Sequence, residues 1–486
     1  MATLVVGAKC YDIVTMVRKG TFGEVAQARQ RSTGEMVAVK MVKNEGHHGQ
    51  VVKNELRLLQ ALQEVDTEKS HIVRFLESFS DGACTYLFFE SLEQNLFDFQ
   101  KQNKFLPLPV RHIRTITAQV LAALVKLREL SIIHTDLKPE NIMLVDHASY
   151  PFRVKLVDFG SASIFNEVRH IKAPYIQSRF YRSPEILLGL PFCEKVDMWS
   201  LGCVVAELHL GWPLFPGINE YDQVRYICST LGLPDHELLC AAQKTQSFFQ
   251  QVPHPTGSWQ LKPPGNETVK PMERRKYAFS SLDQLAAVNI CPVSYPRQEM
   301  LAKHCDLHGM VELVKRMLTW DSHKRIVPSA ALKHPFISLQ LVKSKFEATQ
   351  YYKLCQEDLR ASHKDTSTAE IFPGMEKGAF IPRDRRGIQK VITQMDGLSL
   401  AEPAGDRGDK SQQDIRPIPT HYSTQQQQQH HQHPQVGPTA GKLIMLGGPR
   451  GWEQRSHCEG GVVVGSMMEQ NLPGRPHTSS HAKVWL

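Results

Sequence analysis

Ile133-His134-Thr135-Asp136-Leu137-Lys138-Pro139-Glu140-Asn141 is the stretch around which the rest of the chain is organised. An aspartate, a lysine and an asparagine fall within six positions, and the apolar run Ile142-Met143-Leu144-Val145 follows at once. That run reads as a strand, which puts the loop at a strand's mouth. Val154-Lys155-Leu156-Val157 reads as a second strand and delivers Asp158-Phe159-Gly160. A hairpin through Asp146 to Pro151 would bring Asp136 and Asp158 together. One carboxylate can then orient a hydroxyl, and the other, with Asn141, can hold Mg²⁺.

The two strings resemble the catalytic loop and the metal-binding motif of protein kinases. A polar surface loop would not supply both of them in this order. The resemblance implies an α+β, bilobal fold over residues 11–347, with a small β-rich N-lobe and a larger, mainly helical C-lobe. It implies ATP and Mg²⁺ as cofactors, Asp136 and Lys138 as catalytic residues, and Asn141 and Asp158 as metal ligands.

Upstream, Tyr11 to Val17 begins a hairpin whose far end is Arg18-Lys19-Gly20-Thr21-Phe22-Gly23-Glu24-Val25. Glycines at a hairpin tip let the backbone come close to phosphates. The kinase pattern is G-x-G-x-x-G-x-V. Gly20, Gly23 and Val25 match it, whereas Arg18 replaces the first glycine, so the loop alone is a weak signal. The resemblance extends the nucleotide site over Val17 to Val25. Met36-Val37-Ala38-Val39-Lys40 alternates as a half-buried strand ending in a lysine, the residue that would pair with the α- and β-phosphates. Val51 to Leu62 has Val52, Leu56, Leu59 and Leu62 at helical spacing. Glu55 on that helix is either an exposed helical glutamate or, as the kinase pattern implies, the ion-pair partner of Lys40. Tyr86 to Leu92 resembles the strand and hinge between the lobes. Phe89 would back the adenine pocket, and Glu90 and Leu92 would offer backbone groups to the base.

Arg111 to Leu130 reads as a long amphipathic helix, with Ile113, Ile116, Val120, Leu124 and Leu127 on one face behind Pro107 and Pro109. Asp197 to Leu208 is apolar on nearly all sides and reads as a buried helix. In kinases Asp197 would brace the catalytic loop, and Arg325 would pair with Glu185 of Ser183-Pro184-Glu185. The stretch from about 247 to 297 is irregular and reads as an insert. From about 348 to 486 the composition shifts to Pro, Gly and a Gln- and His-rich tract, which reads as a low-complexity, disordered tail. Within it, Val391 to Leu400 is either a short docking helix or a sticky patch.

Lys138, two residues after Asp136, marks the serine/threonine class. Thr135 stands where most kinases carry an arginine that receives an activation-segment phosphate. Tyr175 is followed by Arg179 and Arg182, two guanidinium groups able to fork a phosphate on the tyrosine. Pro174 to Glu185, Leu188 to Glu194, Leu210 to Gly217 and Glu220 to Ile227 together resemble the homeodomain-interacting protein kinases, relatives of the dual-specificity tyrosine-regulated kinases. That resemblance implies self-phosphorylation of Tyr175 and transfer to Ser or Thr of proteins, with transcription regulators among the partners. It also implies preference for proline at +1, through a carbonyl that faces the +1 pocket. The competing function is a pseudokinase scaffold, for which only Arg18 speaks.

The chain's net charge of +8 comes from scattered Lys and Arg, which reads as a solvated surface and not as a nucleic-acid site. The ten cysteines show no C-x-x-C spacing, and Cys203 and Cys228 sit among apolar residues, as in a reduced, intracellular protein. No signal peptide is recognisable at the start and no run of eighteen apolar residues occurs, so no membrane partner is expected. The cytoplasm is the expected compartment, with the nucleus open, since the basic clusters at 273–276 and 383–386 are short.

Overall fold

The computed structural model describes residues 3–20, 23–44, 47–168, 175–252, 258–263, 273–289 and 296–362. Six strands form the N-terminal sheet: β1 (Thr3–Val6), β2 (Lys9–Gly20), β3 (Gly23–Gln30), β4 (Met36–Lys43), β5 (Phe75–Ser80) and β6 (Cys84–Glu90). Their order is β1-β2-β3-β4-β6-β5, and every pairing is antiparallel. In β4 the period of two places Val37 and Val39 in the core and turns Lys40 to the other face. Helix α1 (His47–Leu62) buries Val52, Leu58, Leu59 and Leu62 at helical spacing, and Glu55 with them.

The C-terminal part is helical around one core. Its central helix α2 (Val110–Glu129) buries Ile113, Ile116, Val120, Leu124 and Leu127, the predicted face. Three short strands follow, β7 (Ile132–Ile133), β8 (Ile142–Leu144) and β9 (Val154–Leu156). Helix α3 (Lys195–Leu210) is buried along nearly its whole length, as an all-apolar helix must be. Arg325 and Glu185 form the expected pair, bidentate at 2.7 and 2.8 Å with both side chains buried. Within the expected insert, Phe249–Gln251 and Trp259–Leu261 pair as a two-stranded ladder.

The packed chain runs past residue 347, where the sequence reading placed the start of the tail. Helix Gln350–Ser362 lies against the helical part and buries Tyr351, Tyr352 and Cys355. Glu299 accepts the free amides of its first turn, from Gln350 at 2.7 Å and Tyr351 at 2.9 Å. Arg111 pairs with Asp358 at 2.5 Å, and the Tyr351 hydroxyl donates to Asp306 at 2.6 Å, whose other oxygen pairs with buried Arg114. The segment 391–400 and the Gln- and His-rich tract lie outside the described residues.

Candidate active site

Antiparallel pairing of β8 with β9, Leu144 opposite Val154 and Ile142 opposite Leu156, is the hairpin that the sequence predicts. The loop 134–141 enters it at Ile142 and Asp158 follows Leu156, so both lie at its open end, where the Val157 amide donates to the Asn141 carbonyl at 3.0 Å. The loop is held from below by Asp197, whose carboxylate accepts the amides of His134 at 2.8 Å and Thr135 at 2.9 Å. Thr135 is held at φ +65° and Asp158 at φ +64°, a region that residues with a side chain seldom adopt.

Asp136 is surrounded by donors. Lys138 Nζ reaches its Oδ2 at 2.7 Å, and the amide and hydroxyl of Ser178 reach its Oδ1 at 3.2 and 2.7 Å. The amide nitrogen of Asn141 donates to the Asp136 backbone carbonyl at 2.8 Å, which turns its amide oxygen the opposite way. Burial pulls the Lys138 ammonium towards losing its proton, but the Asp136 carboxylate outweighs this and holds its pKa above the ordinary value. Ser178 also accepts from Lys138 at 3.0 Å, so Asp136, Lys138 and Ser178 form a closed triangle.

Lys40 joins Glu55 at 2.6 Å and Asp158 at 2.9 Å. The two carboxylates overcome the burial of Lys40 and raise its pKa well above that of a free lysine. Lys40 in turn holds the Asp158 carboxyl far below the usual carboxylate range. Glu55 goes the other way, because burial raises it against the pull of Lys40. A Cβ on Gly160 would lie 3.3 Å from the charged ends of all three side chains, so the glycine leaves the cluster its room.

The hairpin β2–β3 pairs with the strand that carries Lys40, with Val25 opposite Lys40. Val17 is exposed there and Lys19 pairs with Glu24 at 2.6 Å. The backbone of Arg18 pairs with Val25 and that of Gly20 with Gly23, while Thr21 and Phe22 lie outside the described residues. Gly23 stands at φ +145°, and a Cβ there would meet the Met41 carbonyl oxygen at 2.2 Å. The bareness of this glycine serves close packing against β4, a use the sequence reading did not foresee.

At the connection between the two parts, the amide of Glu90 donates to the Arg74 carbonyl at 3.1 Å. Its side chain accepts from the Arg74 amide at 2.6 Å and from Lys155 at 2.6 Å. Lys155 is fully buried and also reaches Glu68 at 2.5 Å. Sequence reasoning missed this lysine, which alternation alone would have turned to solvent. Leu92 packs, partly buried, on the helical core, and the Phe89 ring lies 5.6 Å from that of Phe75.

Tyr175 is 52% exposed, and Arg182 lies under its ring with the guanidinium 4.1 Å from the centroid. Burial raises the Tyr175 hydroxyl's pKa, but Arg182 and Arg179 outweigh it and hold it below the ordinary phenol value. Arg179 donates to the Ile218 carbonyl at 2.7 Å, and its buried Nε has no partner. Arg182 also donates to Glu220 at 3.1 Å and to the Gln177 carbonyl at 2.8 Å. The carbonyl of Gln177, a residue at φ +65°, is thus engaged by Arg182.

A carboxylate held by Lys40, and a second one held by Lys138 and Ser178 on the neighbouring loop, can bind a nucleotide's phosphates through the lysines and orient a hydroxyl. The chain matches the protein kinase domain family over residues 11–337. It is 56% identical over 437 residues to homeodomain-interacting protein kinase 4 of Rattus norvegicus, covering 83% of this chain and 71% of that protein. The same protein of Homo sapiens is 55% identical over 436 residues, with the same coverage of both chains. Homeodomain-interacting protein kinase 1 of Mus musculus is 47% identical over 356 residues, 72% of this chain and 29% of that protein. The chain therefore belongs to the protein kinases and, among them, to the homeodomain-interacting protein kinase family.

Proposed function

We propose that this serine/threonine kinase, which uses ATP and acts on proteins, works through Asp136 as the group that orients the substrate hydroxyl and takes up its proton. Lys138 would neutralise the transferred phosphoryl, and Lys40, fixed by Glu55, would hold the α- and β-phosphates. The observation that carries this reading is the pair of carboxylates with opposite company. Asp158 sits on a lysine at 2.9 Å, whereas Asp136 sits between Lys138 and Ser178 at 2.7 Å each.

Mg²⁺ fits the donor set. It takes few protein ligands and many from phosphate and water, and an ionised Asp158 with the Asn141 amide oxygen is such a set. Among the described residues no group of three His, Cys, Asp or Glu side chains could hold a metal by itself. The ion would screen charge between the phosphates. Residues Val17 to Val25 would cover the nucleotide, with the Glu90 carbonyl and the Leu92 backbone reading the base.

Two finer readings have support of their own. With the Gln177 carbonyl saturated by Arg182, a substrate N–H at +1 meets no acceptor there, and proline, which has no N–H, loses nothing. A phosphate on Tyr175 would find two guanidinium groups already at its hydroxyl, one of them with an unpartnered Nε. The cis modification of Tyr175 then orders the substrate platform. We assign catalysis to residues 11–347, with helix Gln350–Ser362 as an extension of the domain. By extension from relatives named for interaction with homeodomains, transcription regulators are the expected substrates. The setting would be intracellular, in cytoplasm or nucleus. Among the described residues no helix is long and apolar enough to cross a membrane. The test is transfer of labelled phosphate from ATP to a generic basic protein. The wild type should transfer and Asp136→Asn, at equal folded concentration, should lose about a hundredfold or more; equal rates would remove Asp136 from the mechanism.

A further inference from the structure

Thr135 occupies the position of the usual phosphate-binding arginine, yet it is not an idle replacement. It is fully buried, and its hydroxyl donates to the Ser161 carbonyl at 2.6 Å, just past Asp158-Phe159-Gly160. A β-branched residue at φ +65° is strained, and Asp197 holds it there through its amide. The same short run of chain is gripped again close by. Ser163 and Ile164 pair with Ile133 and Ile132, and the Phe165 amide donates to the Ser131 carbonyl at 2.8 Å.

From the opposite side the run is held by helix α1. Asn54 donates to the Ala162 carbonyl at 3.0 Å. Arg57 clasps Glu167 with both terminal nitrogens, at 2.8 and 2.7 Å, and donates to Asn54 at 3.0 Å. Asn54 and Arg57 bracket Glu55, the residue that holds Lys40. Residues 161–167 are therefore fixed between the catalytic loop and the helix that sets Lys40. Arg179 and Arg182 bond to other groups, the Ile218 carbonyl for the first and Glu220 with the Ile176 and Gln177 carbonyls for the second.

We infer that Thr135 is a positioning residue for phosphate transfer: its hydroxyl, with Asn54 and Arg57, fixes the root of the activation segment, and with it Asp158 and the Lys40–Glu55 pair, without any phosphate. The inference rests on the roles proposed above for Lys40, Glu55 and Asp158. A buried hydroxyl on a carbonyl is a tie of fixed length, and its removal strands the carbonyl. The bidentate Arg57–Glu167 pair is half-exposed, with both side chains at 50%, so that side of the grip is open to screening by salt.

The experiment compares the full chain with Thr135→Val, Thr135→Ser and Arg57→Gln, measuring single-turnover transfer to a peptide, ATP affinity and the melting midpoint. Thr135→Val should slow transfer at saturating ATP about tenfold at a temperature where it stays fully folded, with a melting midpoint lowered by a few degrees for the stranded carbonyl, and Thr135→Ser should transfer within about twofold of wild type, because it keeps the donor. Arg57→Gln should transfer a few times more slowly than wild type at low salt and lose little more as salt rises, while wild type falls towards it. Wild-type transfer by Thr135→Val overturns the inference. So does a Thr135→Val defect that Thr135→Ser does not correct and that follows the melting midpoint. If Thr135→Val does not fold, Arg57→Gln decides, and a rate equal to wild type at every salt concentration overturns the inference. Asp158→Asn run alongside separates the two levels. Full transfer by that variant removes the site assignment itself, whereas its inactivity beside a fully active Thr135→Val confines the failure to the positioning role.

Discussion

Replacing Glu55 by glutamine separates the work of its charge from the work of its shape. Glu55 is 2% exposed, with Oε1 2.6 Å from Lys40 Nζ. Burial holds its carboxyl above the ordinary range against the pull of Lys40. An acid whose pKa is raised by folding costs stability as pH climbs from its unfolded value through its folded one, because the folded state must then give up a proton it holds more tightly. Glutamine has no such proton. The variant should therefore be at least as stable as wild type at neutral pH, and the difference should close as pH falls through the usual carboxylate range. Lys40 is not stranded, since Asp158 remains at 2.9 Å. Activity moves the other way. Exchanging a charge-assisted bond for a neutral one weakens the hold on Lys40 by about 1–2 kcal/mol, which is roughly five- to thirtyfold in kcat/KM. Peptide phosphorylation at several ATP concentrations and melting curves at acid and neutral pH measure both. Activity within twofold of wild type, or a melting midpoint several degrees lower at neutral pH, would refute the reasoning.

Peptide arrays should show enrichment of Ser-Pro and Thr-Pro, and a profile without proline at +1 contradicts the role given to the Gln177 carbonyl. Mass spectrometry of protein made in bacteria should find phosphate on Tyr175 in the wild type and none in Asp158→Asn; phosphate in both, or in neither, removes self-modification. Tyr351→Phe deletes a 2.6 Å bond to buried Asp306 and should destabilise the domain by about 2 kcal/mol in denaturant melts, leaving transfer intact well below the transition. A melt that matches wild type shows that helix Gln350–Ser362 is not latched at Asp306.

The parts of the site that stand close in sequence were legible. Asp136, Lys138 and Asn141 share one loop, and β8–β9 is a short hairpin whose ends are fixed by its register, so Asp158 followed. Lys40 was legible as the lysine that ends an alternating strand, and Glu55 only through the kinase pattern, since helical spacing alone left it free to be an exposed glutamate. Partners brought together by tertiary folding alone were not. Ser178 binds Asp136 across 42 residues, and nothing distinguishes that serine in the chain. Thr135 was readable as a missing arginine but not as the donor to Ser161. The helix Gln350–Ser362 was hidden by its polar composition, although Tyr351, Cys355 and Leu359 recur every four residues, the spacing of one helical face. A strand lysine such as Lys155 reads as solvent-facing until the acids that bury it, Glu68 and Glu90, arrive from elsewhere in the fold.

Phe89 offers a way to trace this enzyme's products. Its ring lies 5.6 Å from that of Phe75, on the strand that runs into the connection between the two parts of the domain, and the kinase resemblance puts it at the back of the adenine pocket. Phe89→Gly would enlarge that pocket and cost stability on the order of 3 kcal/mol, while leaving Lys40, Asp136 and Asp158 as they are. An ATP analogue with a bulky group on the exocyclic amine of adenine would then fit, and kinases that keep a large side chain at the same place would reject it. With a thiophosphate at the γ position, the label in a cell extract would mark the proteins that this kinase phosphorylates directly.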